Sequence, residues 1–419
     1  MAKKKTAEPA AKKSMSIDEG FRSIAKAAAE AKQKSGFFVA TQEAESWKYV
    51  DFIDLTKKRP CLPLEYLYGT RGFLIGRIVK YDSNEAAGKS SVILMNIGMA
   101  QATRQVWPCL IETEKAVPPP DYIHSLGCDP QKLFLAQPDR VDECIDVIEQ
   151  FVRTIREGVD PGKKYPIYLA IDSVSGLGVK DNTLEASKED EKGGGGVGYH
   201  AREFSKFFRE DYKLCEAQDA VIFAAAQLKS SIDGGGGFND GPRTTTLAAK
   251  PFEFHATWRV RLWHSGYKDK DTGEYMGELI SMLTEKNKLA PKNRLIKFLL
   301  RRPELVKSGE TVWDFTDANM ELLTGPACPW DEKEFHAGGG WYSHAALNGG
   351  KNMRKEDFLD AFYADPVLLN QVRTKLRIRG FGFAFETQYG IETEEQPDDG
   401  TAAADSPGGI PAAAGSAAG

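Results

Sequence analysis

Ser83-Asn84-Glu85-Ala86-Ala87-Gly88-Lys89-Ser90-Ser91 is the stretch on which the fold turns. It follows Arg77-Ile78-Val79-Lys80-Tyr81, which reads as a strand, and precedes an apolar helical run at 92–100. Strand, loop and helix in that order make a phosphate cradle. Backbone N–H groups of the loop and of the helix's first turn point at phosphate oxygens. Gly88 lets the backbone approach closely, Lys89 supplies a point charge to the outer phosphates, and the Ser90 hydroxyl suits Mg²⁺. Nucleotide contacts are expected along Ser83, Asn84, Glu85, Ala86, Ala87, Gly88, Lys89, Ser90 and Ser91. The motif GxxxxGK[ST] opens on glycine; here Ser83 holds that place, so the loop's entry is expected to be shaped differently. A helix that merely begins Gly-Lys-Ser is the competing reading.

Two strand-end acids favour the cradle. The continuous apolar run 167–171 suits a strand covered on both faces of a parallel sheet, and it closes in Asp172-Ser173. Asp172 is expected at the sheet's C-terminal edge, where it would orient a Mg²⁺-bound water. Leu110-Ile111-Glu112-Thr113-Glu114 carries a second acid out of another strand, where a carboxylate can polarise an attacking water.

Around these motifs, residues 47–300 alternate short apolar strands with longer amphipathic segments, an α/β pattern. Strands are expected at 76–81, 108–111, 132–136, 166–171 and 220–226. A hairpin is expected from 256–263 and 277–284 around Asp271-Thr272-Gly273. Glycine runs at 193–196 and 234–237 read as mobile loops. Ser16-Ile17-Asp18-Glu19 has the form of a capping box ahead of an amphipathic helix. Helices at 355–363 and 368–377 belong to a small Trp- and Tyr-containing unit. Residues 1–15 and the acidic, then Ala/Gly-rich, end read as disordered tails.

The chain has 419 residues, enough for two or three structural units. No apolar run reaches the ~20 residues of a membrane span. The basic start has no apolar stretch after it, so a secretory signal is not expected. Six scattered cysteines without a CxxC pair argue against a zinc site and fit a reducing cytoplasm. A net charge of −5 does not advertise nucleic-acid binding, but charge distribution matters more than the sum.

In this order the motifs resemble the RecA family of homologous recombinases. Thr113-Glu114-Lys115-Ala116 is similar to the family's Ala-Glu-His-Ala, Ala136-Gln137-Pro138-Asp139 to its Gln-Pro-Asp turn, and Asp172-Ser173-Val174 to its magnesium-site Asp-Ser-Val. Ala225-Ala226-Gln227, Thr244-Thr245-Thr246, Lys286-Asn287-Lys288 and Gly340-Trp341-Tyr342-Ser343 with Gly349-Gly350-Lys351-Asn352 follow in unbroken order. The divergence, with insertions in both loops, is similar to a phage-like or remote bacterial member.

The resemblance implies an α/β RecA-type ATPase core with a mainly parallel twisted sheet flanked by helices. The N-terminal helix and subunit-interface segment would span 16–47, the core 48–305, a small α+β C-terminal domain 325–388, and a tail 389–419. Two DNA-binding loops would lie at about 185–199 and 229–250. By the same resemblance Glu114, Lys89 and Gln227 are catalytic, Lys286 and Lys288 reach ATP across a subunit boundary, and Ser90 and Asp172 hold Mg²⁺. Tyr122 lies in the adenine pocket, while the second aromatic of that pocket is replaced near Arg301-Arg302-Pro303, so stacking is one-sided or uses Arg. Arg202, Arg209, Phe238, Arg243, Thr244 and Thr245 are expected at DNA, with Lys250 as a further phosphate contact. The implied activity is ATP- and single-strand-dependent filament formation with homologous pairing and strand exchange, duplex DNA being the second partner. A filament-forming single-strand-binding protein with weak or no hydrolysis is the alternative. A hexameric motor on the same core is disfavoured by the Gly-Trp-Tyr-Ser unit.

Overall fold

The structure is a computed structural model that describes residues 48–178, 195–210, 212, 217–230, 244–245, 249–270, 272–327, 330 and 334–379. The helix expected after Ser16, the glycine run 234–237 and both tails lie outside these residues. So do Phe238 and Arg243.

Nine strands form the central sheet: β1 (Ile78–Ser83), β2 (Trp107–Glu112), β3 (Phe134–Ala136), β4 (Ile167–Asp172), β5 (Ala220–Gln227), β6 (Trp258–Lys268), β7 (Tyr275–Asn287), β8 (Leu295–Arg301) and β9 (Trp313–Asp314). Their spatial order is β9-β8-β7-β6-β1-β5-β4-β2-β3. From β6 to β3 all neighbours are parallel, and β7, β8 and β9 add an antiparallel flank. This is the mostly parallel α/β core that the motifs imply. The expected hairpin is present but longer than the apolar pattern, because β6 and β7 stay paired out to Lys268 and Tyr275, where the side chains are exposed or half-buried.

Helices cover both faces, which explains why β4 and β5 read as unbroken apolar runs. On one side α1 (Leu62–Tyr68) and α2 (Lys89–Thr103) pack with Val79, Tyr81, Tyr168 and Phe223. The short α3 (Pro120–Ser125) joins them through Ile123. On the other side α4 (Val141–Arg153), α5 (Gly195–Glu210) and α6 (Lys250–His255) pack with Ile78, Ile111, Leu169 and Ile222. α5 begins inside the loop expected at 185–199. The buried side chains of Phe204, Phe207 and Phe208 anchor its later turns and outweigh the ~1 kcal/mol that each glycine costs a helix.

The strand β1, which leads into the loop 84–88, is tied down from both faces. Asn96 of α2 donates to the Tyr81 hydroxyl at 2.7 Å, and Tyr81 bonds Tyr68 at 2.8 Å, all three side chains being buried. On the opposite face Lys80 is fully buried and pairs with Asp82 at 2.5 Å and Glu253 of α6 at 3.2 Å.

A third core gathers α7 (Thr316–Thr324), α8 (Lys355–Tyr363) and α9 (Pro366–Lys375) around Leu323, Phe358, Phe362 and Val372, with Leu62 of α1. Arg373 of α9 forks onto Glu65 of α1 at 2.8 and 2.6 Å, both residues being buried. Among the described residues no helix is long and apolar enough to cross a membrane. Arg373→Met leaves the Glu65 carboxylate buried without its partner. It should lower the unfolding free energy by about 3–5 kcal/mol in urea denaturation. A loss below about 1 kcal/mol would show that the pair does not tie α9 to α1.

Candidate active site

The parallel strands end together at one edge of the sheet. Ser83 pairs in register with Gln227, and Glu112 with Asp172. Each is the last residue of its strand, so four polar residues arrive at the edge where helix N-termini and loops emerge.

The loop 84–88, the candidate phosphate loop, leaves β1 after Ser83. Ala86 and Gly88 take left-handed backbone (φ 59° and 83°), and Gly88 caps the N-terminus of α2. A side chain at Gly88 would also press on Ile280 of β7, 3.2 Å from where its Cβ would lie. Asn84, Glu85 and Ala86 are exposed, while Ala87 and Lys89 are buried. The Lys89 ammonium donates to Ser83 Oγ at 2.8 Å and to the Asn84 carbonyl at 3.1 Å. Burial lowers the Lys89 pKa, and Asp172, Glu114, Glu85 and Asp82 oppose that shift. Ser83 remains in strand pairing, so the loop's entry is a strand end whose hydroxyl holds the lysine.

Asp172 is 8% exposed at the end of β4. Burial raises its carboxyl above the usual range; a hydrogen bond from Ser90 and the Lys89 charge pull it back, while Glu114 and Glu112 push it up. Ser90 and Asp172 are thus adjacent, an all-oxygen pair. Among the described residues no cluster of three or more acidic, His or Cys side chains could cage a metal. That donor set fits Mg²⁺, which takes one or two protein oxygens and fills its octahedron with water and phosphate.

Glu114 Oε1 accepts the Ser173 hydroxyl at 2.8 Å and the Gln227 amide at 3.0 Å. The backbone N–H of Gln227 donates in turn to Ser175 Oγ at 3.1 Å. Glu112, 5% exposed, accepts the N–H groups of Glu114 and Ala116 at 2.9 and 3.0 Å and the Gln137 amide at 3.3 Å. It therefore ties down the turn that carries Glu114. Glu112, Glu114, Ser90 and Asp172 line one cleft, with Leu110 and Pro118 as its apolar wall. The Tyr122 hydroxyl lies 3.2 Å from Ser91 Oγ. Pro119 and Pro120 set the start of α3 there, the fixed φ of proline being suited to a first helical turn.

Lys286 and Lys288 are elsewhere. Lys286 pairs with Arg259, which pairs with Lys80, three residues before Ser83 and therefore about 10 Å back along the strands. Lys286 donates to the Glu253 and Phe254 carbonyls at the end of α6 (2.5 and 2.9 Å), and Lys288 lies 3.5 Å from that of His255. Arg202 and Arg209 are exposed on α5, and Lys206 between them shares their helical face. Thr244 and Thr245 form an antiparallel pair with Ser230 and Lys229 just past Gln227. Lys250 begins α6. Arg301 is committed to Glu310 and the Thr311 carbonyl, and Arg302 to Glu304. Sequence reasoning does not single out Ser175 and Lys206, and it quotes Glu112, Thr113, Gln137 and Ser173 within motifs without giving them a role of their own. Their available signal is adjacency: Thr113 and Ser173 each stand next to a predicted acid at a strand end.

A family model described as the RecA N-terminal domain matches residues 53–302. The chain is similar to Protein RecA of Porphyromonas gingivalis, with 28% identity over 317 residues, 75% of this chain and 83% of that one. It is similar to Protein RecA of Thermus thermophilus, with 27% identity over 318 residues (75% and 82%), and to that of Bartonella henselae, with 26% over 340 residues (81% and 87%).

Adding a Mg²⁺–nucleoside triphosphate should slow amide exchange at Ser83–Ser91 and at Gln227 while leaving Lys286 and Lys288 unchanged in the dilute monomer. Protection centred on α6 instead would relocate the phosphate site.

Proposed function

The chain belongs to the RecA family, and from that premise we propose an ATP-driven recombinase that assembles on single-stranded DNA and pairs it with a homologous duplex. Family membership supports a recombinase-type function. The observation that carries the finer reading is the bond between Gln227 and Glu114. A side chain that ends a sheet strand beside the phosphate loop, and from which the segment 229–250 departs, holds the carboxylate best placed to act on the nucleotide.

The roles follow from that arrangement. Loop amides and Lys89 bind the triphosphate, and Tyr122 flanks the base. Mg²⁺, held through Ser90 and Asp172, would neutralise charge on the β- and γ-phosphates. Glu114 accepts a proton from the attacking water. A γ-phosphate within reach of Gln227 competes with Glu114 for its amide, so the direction of that one side chain reports the nucleotide state to the segment beyond it. Arg202, Lys206 and Arg209 present three charges on one helical face, suited to a phosphate backbone. By the family resemblance Phe238, Arg243, Thr244 and Thr245 are also assigned to DNA, and single-stranded and duplex DNA are the proposed ligands. Lys286 and Lys288 are assigned to the nucleotide of an adjoining subunit in a helical filament, with 48–305 as the catalytic core.

One observation favours a second reading, a filament protein with weak hydrolysis. The Ser83 hydroxyl and the Asn84 carbonyl already occupy Lys89, so phosphate must displace both, and the first is a contact that a glycine at position 83 would not make.

Steady-state ATP hydrolysis with Mg²⁺, titrated with single-stranded and then duplex DNA, separates the two. The recombinase reading expects strong stimulation by single strands; a flat, near-zero rate with ATP-dependent DNA binding intact selects the second. Within the first reading, Lys89→Ala should abolish turnover in a folded protein. Glu114→Gln should bind ATP and DNA but turn over about 10²-fold or more slowly. Unchanged turnover in Lys89→Ala, or lost ATP binding in Glu114→Gln, would break the assignment.

A further inference from the structure

Beyond Glu112 and Asp172 the ladder between β2 and β4 stops, and the two chains leave the sheet carrying the two acids of the site. A side chain takes over where the ladder ends. The Thr113 backbone N–H donates to the Asp172 carbonyl at 2.9 Å. The Thr113 hydroxyl then donates to the Ser173 carbonyl at 2.7 Å and accepts the Ser173 N–H at 3.0 Å. One hydroxyl therefore bonds both backbone polar groups of a residue that is 1% exposed; the Ser173 carbonyl also accepts the Gly176 N–H at 3.1 Å, so the N–H is the group that depends on Thr113, itself 8% exposed. With its backbone held, Ser173 turns its own hydroxyl onto Glu114 Oε1, the oxygen that also receives Gln227. The site is tight: a Cβ at Gly176 would lie 2.4 Å from Thr113 Oγ1 and 3.2 Å from Glu114 Cγ.

We infer that Thr113 is a positioning residue for hydrolysis: its hydroxyl locks Ser173 so that Glu114 is held in fixed relation to Asp172 and Gln227. The segment that resembles the family's Ala-Glu-His-Ala has Thr in place of its first Ala, and alanine cannot make this lock. The inference rests on the ATPase reading given above. It deepens that reading by making the orientation of the catalytic carboxylate depend on a hydroxyl two bonds of contact away from the reacting atoms. Without the hydroxyl, the Ser173 N–H loses its partner in a buried site while the carbonyl keeps only the Gly176 N–H, and the donor that aims Glu114 loses its anchor.

The test compares Thr113→Val, which keeps the shape and removes the hydroxyl, with Thr113→Ser, which keeps the hydroxyl. With ATP, Mg²⁺ and saturating single-stranded DNA, the Val variant should lose about 10–10²-fold in kcat with KM for ATP within about 2-fold. The Ser variant should recover most of the loss. A Val variant with wild-type kcat, a Ser variant as slow as Val, or a change confined to KM would each overturn the inference. Ser173→Ala is the second arm and serves alone if the Val variant does not fold. It should lower kcat in the same way, and the two changes combined should be no slower than the slower single variant, because both act through Glu114. Multiplying effects would overturn it. Amide exchange at Ser173 in the nucleotide-free protein separates this idea from the ATPase reading. The amide should be protected in the wild type and exchange at least about 10-fold faster in Thr113→Val, whether or not the wild type hydrolyses ATP. Fast exchange already in the wild type would refute the lock; protection together with an inactive wild type would refute only the ATPase reading.

Discussion

Parallel register is the constraint on which the rest of this structure depends. β1, β5, β4 and β2 run in the same direction and stop within a residue or so of one another. Ser83 stands opposite Gln227 and Glu112 opposite Asp172. Polar residues contributed by four separate strands therefore reach a single edge without any loop having to carry them there. A slip of one residue in β5 would turn Gln227 to the opposite face and bury an amide against α4 and α5. The apolar interiors of these strands, packed between helices on both sides, forbid that slip. The same packing that stabilises the sheet thus sets the geometry of its edge.

The edge also needs a rigid floor, and the buried charges under β1 provide it. Lys80 has no exposed surface and lies between Asp82 and Glu253; Arg259 pairs with Glu285 at 2.5 Å and lies within 4 Å of Asp82 and Glu253. Burial raises the Asp82 carboxyl while Lys80 and Arg259 hold it down. Such a cluster contributes little net stability over apolar packing, but it tolerates no partial arrangement, since breaking one pair strands a charge in the interior. It joins β1, the strand entering the candidate phosphate loop, to α6, the helix that follows the segment 229–250.

Much of the fold was legible because parallel strands announce themselves as short apolar runs. The runs at 167–171 and 220–226 match β4 and β5 to within one residue. Asp172 and Gln227, read as the polar residues that close these strands, are still paired: the ladder continues one step past the hydrophobic signal. The candidate site was legible as residue types at strand ends, but its contacts were not. Ser173 meets Glu114 across 59 positions and Lys80 meets Glu253 across 173, and no local pattern encodes such pairings. Lys80 reads in sequence as a polar break in a strand, whereas it is among the most buried side chains of the molecule. The helical start of α5 at Gly195 escaped for a different reason. Glycine composition describes local freedom, and three buried phenylalanines further along the helix overrode it.

The position of Lys286 and Lys288 bears on how complete one subunit is. At the sheet edge, Asp172 and Glu114 face a loop into which, among the described residues, Lys89 is the cation drawn. A triphosphate would add several negative charges to those two carboxylates, and bound Mg²⁺ offsets only part of them. Lys286 lies about three strand residues back and Lys288 further still, both bonded to the carbonyl end of α6, so within one chain they cannot supply the balance. Burial and the neighbouring cations Lys288 and Arg259 lower the pKa of Lys286, which marks it as a charge held at a cost in its present place. An anion brought against that surface by another copy would relieve the repulsion and gain both lysines at once. On the proposed function, the electrostatics of hydrolysis are therefore completed between subunits. On that reading, assembly on DNA and nucleotide turnover would be coupled, with Gln227 and Thr113 setting the geometry inside each subunit and the two lysines supplying charge between them.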